Sequence, residues 1–243
     1  MDDVLRLCLW SSPRNVSTAL MYSFAQRPDT RVLDEPIYGH YLRVTGAQHP
    51  IPGDVIAAME SDGAKVISDV ILGPCDRPTL FMKQMTHHLV DIDLSFLKRT
   101  TNVLLTRDPV EMLPSLDRVL DRPTLRDTGF KGQADLLALL REYGQEPLVI
   151  DSRELLRDPP GVLATLCAGV GIECDDSMLR WEAGPRPEDG VWAPHWYTNV
   201  HKSTGFEPYR PKLEPFPPHL ESLLAECQPY YDTLYQLAIK AGD

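Results

Sequence analysis

Short runs of β-forming residues alternate with helical patterns along this chain, and this alternation limits the fold more than any other feature. The runs at 4–10, 31–33, 79–82, 102–106 and 147–150 predict strands, and a further strand is expected around 66–67. Helical patterns cover 16–26, 54–61, 110–120, 131–143 and 162–170. Strands that alternate with helices pair in parallel through right-handed crossovers. We therefore predict an α/β fold, a three-layer sandwich with a central and mostly parallel sheet.

The length and the cysteine content predict one self-sufficient domain over 1–243. At 243 residues a chain buries enough apolar surface to fold without a structural metal. The five cysteines are odd in number and form no C-x-x-C pair, which disfavours a disulfide framework and indicates a reducing compartment. The acidic opening Met1-Asp2-Asp3 is unlike a signal peptide, and no apolar run reaches the length of a membrane span. We expect a cytoplasmic protein.

The net charge of the chain disfavours anionic partners. Its formal net charge is -11, and no long basic run interrupts the acidic sequence. An acidic surface repels nucleic acids, anionic membranes and sulfated polymers. The charge therefore disfavours nucleic acid, membranes and sulfated polymers as partners.

Polar residues gather where the predicted strands end, which is where parallel sheets place their binding sites. The first such loop is Ser12-Pro13-Arg14-Asn15-Val16-Ser17-Thr18, between a strand and a helix. Helix N-termini offer backbone N–H groups to a phosphate, and an arginine adds a fork of donors. The structural alternative is a capped helix with a surface arginine. The G-x-x-x-x-G-K-[ST] loop of ATP- and GTP-binding enzymes is absent here.

Four segments, in order, resemble the sulfotransferase family. The loop 12–18 resembles the family's 5′-phosphosulfate loop, and the strand 102–106 with Arg107, Pro109 and Ser115 resembles its 3′-phosphate motif. The strand at 79–82 with Lys83, His87 and His88 is similar to the family's strand that ends in a lysine near a histidine, and 149–159 is similar to a late strand–helix segment. The resemblance implies a P-loop-like sulfotransferase fold.

The resemblance also implies a donor and a set of roles. The donor would be 3′-phosphoadenosine 5′-phosphosulfate (PAPS), the product 3′,5′-adenosine bisphosphate (PAP), and no metal is expected. The 5′ group would be bound by Arg14 and by the loop at Asn15, Val16, Ser17 and Thr18, and the 3′-phosphate by Arg107 and Ser115. Lys83 would assist the leaving group, or else merely close its strand.

Two candidates compete for the general base that takes the proton of the acceptor. Glu35 follows a strand and precedes a proline. It resembles the glutamate that serves as the general base in several branches of the family. His87 or His88 is the alternative, because an imidazole has a pKa suited to neutral pH. The structural alternatives are a capping or exposed carboxylate and a pair of packed histidines. We expect Glu35 to be the base.

The last quarter of the chain predicts a lid and a helical end. Three of the four tryptophans lie in 181–206, a stretch suited to cover donor and acceptor, in which Lys202 and Ser203 occupy the place of a family loop that contacts the 3′-phosphate. A packed irregular tail is the alternative. A helical region at about 220–241, with a break near Pro229, predicts an apolar stripe for the core or for a homodimer surface.

Three functions agree with these features to different degrees. The first is a sulfotransferase acting on a hydroxyl or amine of a small molecule. The second is a magnesium-dependent nucleotide or small-molecule kinase, which the missing glycine–lysine loop disfavours. The third is a nucleotide-binding protein that kept the fold without catalysis.

Overall fold

The computed structural model describes residues 4–211 and 214–242, so the acidic opening Met1-Asp2-Asp3 lies outside the described residues. Six strands form one sheet in the order β2-β3-β1-β4-β5-β6. They are β1 Leu5–Ser11, β2 Thr30–Asp34, β3 Thr79–Met85, β4 Thr101–Thr106, β5 Leu148–Asp151 and β6 Ala238–Ile239. The pairs β2–β3, β4–β5 and β5–β6 are parallel. The prediction of an α/β fold with a central, mostly parallel sheet is confirmed.

The central strands are buried along almost their whole length. In β1 the residues Leu7, Cys8, Leu9 and Trp10 have at most 1% of their surface exposed. A strand covered on both faces needs apolar residues at every position rather than at alternate ones. This is why its sequence is a continuous apolar run.

Helices flank the sheet. They are α1 Ser17–Phe24, α2 Tyr38–Thr45, α3 Pro52–Ala58, α4 Gly63–Lys65, α5 Pro109–Asp117, α6 Leu125–Thr128, α7 Phe130–Glu142, α8 Ser152–Arg157, α9 Pro159–Val170, α10 Ala193–Trp196 and α11 Glu221–Leu237. Short 3₁₀ helices lie at Thr86–His88, Leu94–Arg99, Asp176–Leu179, Val200–Lys202 and Pro218–Leu220. None of the helices in 4–211 and 214–242 combines the length and the apolar character that a membrane crossing demands.

The residue contacts divide the chain into two compact units. The first unit consists of Met1–Leu9, Ser17–Asn102 and Asp175–Phe206, and the second of Trp10–Val16, Val103–Cys174 and Glu207–Asp243. In the first unit, Tyr38, Tyr41, Val55, Trp192 and Tyr197 belong to one buried cluster. In the second, α5, α7 and α11 contribute a separate cluster around Met112, Phe130, Leu223 and Tyr231.

The strand expected around 66–67 is wrong. Val66–Ile71 is a π-helix that continues α4, and only Val66 and Ile71, five positions apart, are buried within it. The side chain of Asp62 accepts a hydrogen bond from the backbone N–H of Lys65. Such a cap starts a helix by satisfying one of its unpaired donors, and it outweighs the β preference of two adjacent apolar residues.

The C-terminal region also differs from its prediction. α11 runs through Pro229 without a break, although an internal proline removes a hydrogen bond and costs about 3 kcal/mol. The buried residues Leu223, Cys227, Tyr231 and Leu234 lie on both sides of the proline, so that packing keeps the helix intact. The helix ends at Leu237 because Ala238 and Ile239 pair with β5 as a sixth strand.

Candidate active site

The loop after β1 is held in an uncommon backbone conformation at Arg14. Arg14 has a φ of 59°, in the left-handed region that residues other than glycine rarely adopt. Its carbonyl oxygen accepts a hydrogen bond of 2.8 Å from Nη1 of Arg107, and Asn15 Nδ2 donates to the carbonyl of Leu105 at 3.2 Å. The arginine directly after β4 therefore fixes the loop that follows β1. Strain of this kind concentrates at functional sites.

Arg14, Arg107 and Ser115 form what we call the arginine cluster. Arg14 Nε donates to Ser115 Oγ at 3.1 Å, and both guanidinium groups are half-buried. Burial, and after it the charge of Arg107, lowers the pKa of Arg14. Glu111 faces Arg107 at 3.4 Å, beyond the length of a strong charged hydrogen bond. The cluster is thus suited to bind an anion.

Two buried hydroxyl groups of the second unit have no hydrogen-bond partner. They are Ser12 Oγ, directly after β1, and Thr106 Oγ1, the last residue of β4. Both residues are fully buried. Because unpaired buried polar groups are unfavourable, they indicate a polar ligand at these strand ends.

The remaining loop residues lie at the start of α1. Val16 is half-buried, and Ser17 and Thr18 are the first two residues of the helix. The first turn of a helix presents N–H groups that the helix itself does not use. This geometry is compatible with the predicted phosphate contacts, which stay predictions.

A second cluster lies in the first unit, and we call Asp34, Glu35, Lys83, His88 and Tyr197 the carboxylate–lysine cluster. In the parallel register of β2 and β3, Asp34 is the partner of Lys83. Lys83 is 1% exposed, and its Nζ donates to Asp34 Oδ1 at 2.9 Å, to Glu35 Oε1 at 2.5 Å and to Tyr197 Oη at 2.6 Å. Glu35 has a φ of 47°, so the candidate base is a second strained residue at a strand end.

The cluster holds two carboxylates against one cation. Burial alone would lower the pKa of Lys83, but Asp34 and Glu35 together raise it well above its usual value, so the amine stays charged. Burial raises the pKa of Glu35 in spite of the attraction to Lys83, and the charge of Asp34 adds to the rise. A carboxylate with a raised pKa is a stronger proton acceptor at neutral pH.

Of the two predicted histidines, the structure brings His88 next to Glu35. Its Nδ1 lies 3.9 Å from Glu35 Oε2 and has no hydrogen-bond partner. The ring stacks on Tyr38 and Tyr41, with centroid distances of 4.9 and 4.7 Å. Burial, followed by the charges of neighbouring groups, lowers the pKa of His88 well below its usual value, so the imidazole is neutral. His87 is half-buried and packs edge-on against His88.

The predicted lid contributes buried residues to the first unit. Trp181, Trp192 and Tyr197 are 4 to 6% exposed, and Ser203 Oγ accepts from Trp181 Nε1 at 3.1 Å and donates to the carbonyl of Val200. Lys202 is exposed. The lid function and the 3′-phosphate contacts of Lys202 and Ser203 stay predictions.

Sequence reasoning missed two members of the carboxylate–lysine cluster. Asp34 has a detectable signal, because an acidic residue at the end of one strand faces a lysine two positions before the end of its parallel neighbour. Tyr197 has none, since it lies 114 positions from the lysine that it contacts. In the described ranges, no group of three or more His, Cys, Asp or Glu side chains could hold a metal ion.

Comparison with known proteins identifies the family. The model of the sulfotransferase domain family matches residues 5–238, nearly the whole chain, and the chain belongs to this family. The fold is similar to the sulfotransferase domain from the curacin biosynthetic pathway, with a TM-score of 0.55 and 15% identity over 93% of this chain and 98% of that one. It is also similar to the sulfotransferase domain of the Synechococcus PCC 7002 olefin synthase, with a TM-score of 0.54 and 18% identity over 90% and 93% of the two chains.

Two Arabidopsis thaliana proteins are nearer in sequence. Branched-chain-amino-acid aminotransferase-like proteins 2 and 1 are 40% and 41% identical to the chain over 226 residues. The match covers 93% of this chain but only 40% of each relative. The chain therefore corresponds to less than half of these longer proteins.

Proposed function

We propose that the protein transfers a sulfuryl group from PAPS to a hydroxyl or amine of a small molecule. The observation that carries the proposal is the arginine cluster: Arg14, Arg107 and Ser115 come from the two motifs that resemble the family's phosphate-binding segments, and they contact one another. Family membership supports sulfuryl transfer as the chemistry.

The residues of the second unit fit a doubly phosphorylated adenosine. Burial lowers the pKa of Arg14, and the charge of Arg107 lowers it further, so a bound anion would stabilise the charged form of Arg14. Arginine binds phosphate through paired, charge-assisted hydrogen bonds. Arg14 would hold the 5′ group together with Asn15 and Val16, and Arg107 would hold the 3′-phosphate with Ser115. The unpaired hydroxyls of Ser12 and Thr106 supply further donors.

Glu35 would take the proton of the acceptor. When bound, PAPS supplies an activated sulfuryl group, and the acceptor must lose its proton as it attacks. Oε1 of Glu35 is bonded to Lys83, whereas Oε2 lies 3.9 Å from the ring nitrogen Nδ1 of His88. The neutral His88 faces the same oxygen, so it can orient the acceptor by a hydrogen bond from a neutral ring. Glu35 and His88 thus act together in this proposal rather than as competing bases.

Lys83 has a supporting role in the proposal. All three of its protons are used inside the carboxylate–lysine cluster. It therefore holds Glu35 in place and offsets one of the two carboxylate charges in the cluster.

The acceptor is proposed to be small and not strongly anionic. The net charge of -11 and the buried excess of carboxylate at the base disfavour nucleic acid, membranes and polyanionic acceptors. The aminotransferase named in the Arabidopsis relatives is not carried over, because the match leaves 60% of each relative outside this chain.

Incubation with ³⁵S-labelled PAPS and pooled hydroxyl- and amine-bearing metabolites tests the proposal. We expect label in a new product with the wild type, loss of that product with Glu35→Gln, and the same yield in the presence of a chelator. Labelling from γ-³²P-ATP that requires magnesium would instead establish the kinase. Tight PAP binding without transfer to any pool would establish a non-catalytic nucleotide-binding protein.

A further inference from the structure

We propose that Tyr197 is a positioning residue that orients the carboxyl of Glu35 through Lys83 and Asp34. The inference rests on the proposed function, in which Glu35 is the base. It assigns a specific role to a residue of the aromatic stretch 181–206, which contributes no strand to the sheet.

The hydrogen bonds around Tyr197 allow one proton arrangement. Its Oη lies 2.6 Å from Lys83 Nζ, 3.2 Å from Trp192 Nε1 and 2.7 Å from Asp34 Oδ2. A lysine ammonium and an indole nitrogen only donate, so the phenol accepts from both. Its single proton must therefore go to Asp34. Burial and the charge of Asp34 raise the pKa of Tyr197 well above its usual value, which keeps that proton in place.

The same count fixes the ammonium group of Lys83. Its three protons meet three acceptors, one each from Asp34, Glu35 and Tyr197, and none is left over. Lys83 thus has one orientation in which every bond is made. In that orientation Glu35 Oε1 is fixed, and Oε2 is directed toward His88.

The segment that carries Tyr197 is itself fastened on both sides. Gly190 N–H donates to Asp34 Oδ2 at 3.2 Å, and a side chain at Gly190 would meet the Trp192 ring at 2.2 Å. Asp189 accepts from Tyr22 Oη at 2.6 Å and pairs with His201 at 2.9 Å. Tyr197 is therefore placed by backbone and side-chain bonds rather than by apolar packing alone.

Removing the phenol oxygen should change the proton affinity of Glu35 in a defined direction. In Tyr197→Phe, Asp34 Oδ2 loses one of its two donors and keeps the N–H of Gly190, and one proton of Lys83 loses its acceptor. Lys83 is then drawn toward the less compensated Asp34 and away from Glu35. Because the attraction to Lys83 is what lowers the pKa of Glu35, that pKa should rise.

The test is carboxyl ¹³C NMR on protein labelled at the glutamate δ-carbon, with the Glu35 signal assigned by its absence in Glu35→Gln. We expect the titration midpoint of Glu35 to rise by roughly half to one pH unit in Tyr197→Phe. Tyr22→Phe is the matched control, since it removes a phenol–carboxylate bond from the same segment, and it should leave the midpoint in place. An unchanged midpoint in Tyr197→Phe, or an equal shift in both variants, would overturn the proposal.

A second variant keeps the proposal testable if Tyr197→Phe does not fold. Asp34→Asn removes a charge that raises the pKa of Glu35, so the titration midpoint of Glu35 should fall. An unchanged midpoint would show that Asp34 does not act on Glu35 and would overturn the proposal. The titration needs neither donor nor acceptor. Failure to transfer sulfate would therefore refute the proposed function alone, and a fixed midpoint would refute the positioning role alone.

Discussion

Replacement of Lys83 by methionine tests the carboxylate–lysine cluster at its centre. The change shortens the side chain by one heavy atom and removes its charge and its three hydrogen bonds. Lys83 is 1% exposed, so Asp34 and Glu35 cannot recruit water freely in its place. Removing one partner of a buried ion pair destabilises a protein by about 3–5 kcal/mol. That is a large part of the roughly 5–15 kcal/mol by which a domain is stable.

The destabilisation caused by Lys83→Met should depend on pH. Burial already raises the folded-state pKa of Glu35, and loss of the amine that lowers it would raise it further above its value in the unfolded chain. A raised carboxyl pKa contributes stability at low pH and loses it as the pH rises through the folded-state value. The destabilisation by Lys83→Met should therefore be smaller at pH 5 than at pH 7.5. The triple variant with Asp34→Asn and Glu35→Gln should recover most of the loss, because no unpaired charge remains.

Urea unfolding followed by circular dichroism measures these differences from the midpoint and the slope. Lys131→Met is the control, since Lys131 pairs with Asp135 on an exposed helix surface and its loss should leave the midpoint unchanged within error. A loss below about 1 kcal/mol for Lys83→Met, or a triple variant no more stable than the single one, would refute the account of this cluster.

Three further outcomes follow from the two clusters and from β5. Glu35→Gln should bind PAP as tightly as the wild type in calorimetry, and a large loss of affinity would place Glu35 in the donor site instead. His88 has a lowered pKa, so it contributes stability above about pH 6.5 that is lost as the pH falls, by up to about 1.4 kcal/mol per pH unit. In urea unfolding, the stability of His88→Asn should therefore fall less than that of the wild type between pH 6.5 and 5.5, and an equal fall in both proteins would contradict this. Burial raises the pKa of Asp151 to about 6, so the wild type loses stability as the pH rises through that value and Asp151 becomes charged. The free energy of unfolding of Asp151→Asn should therefore increase relative to that of the wild type between pH 5 and 7. A difference in stability that stays constant over this range would contradict the prediction.

Local sequence signals predicted the elements that carry the arginine cluster. The apolar run before Ser12 and the β-forming run before Arg107 both end abruptly in polar residues, so the strand ends could be located to within a residue or two. Parallel sheets place such ends together, which is why Arg14, Arg107 and Ser115 could be predicted as one site. Their roles toward the donor, like the single domain over 1–243 and the homodimer surface, stay predictions.

The carboxylate–lysine cluster could be predicted only in part. Glu35 and His88 stood as alternatives because sequence does not reveal that β2 lies beside β3, and in the structure their side chains are 3.9 Å apart. Tyr197 reaches Lys83 from a segment without a strand or a long helix, so no periodic pattern points to it. The same limit applies to β6, since two residues directly after α11 are too short a run to predict as a strand.

The central claim is that the arginine cluster binds an adenosine that carries both a 3′- and a 5′-phosphate. Isothermal titration calorimetry with PAP, adenosine 5′-monophosphate and ATP tests it directly in the wild type and in Arg107→Ala. We predict that the wild type binds PAP more tightly than the other two nucleotides. Arg107→Ala should weaken PAP by roughly 10- to 150-fold, the value of a charged hydrogen bond, and should weaken the monophosphate less, because only the release of the Arg14 loop acts on the 5′-phosphate. Equal losses for both nucleotides, or tighter binding of ATP than of PAP, would contradict the claim.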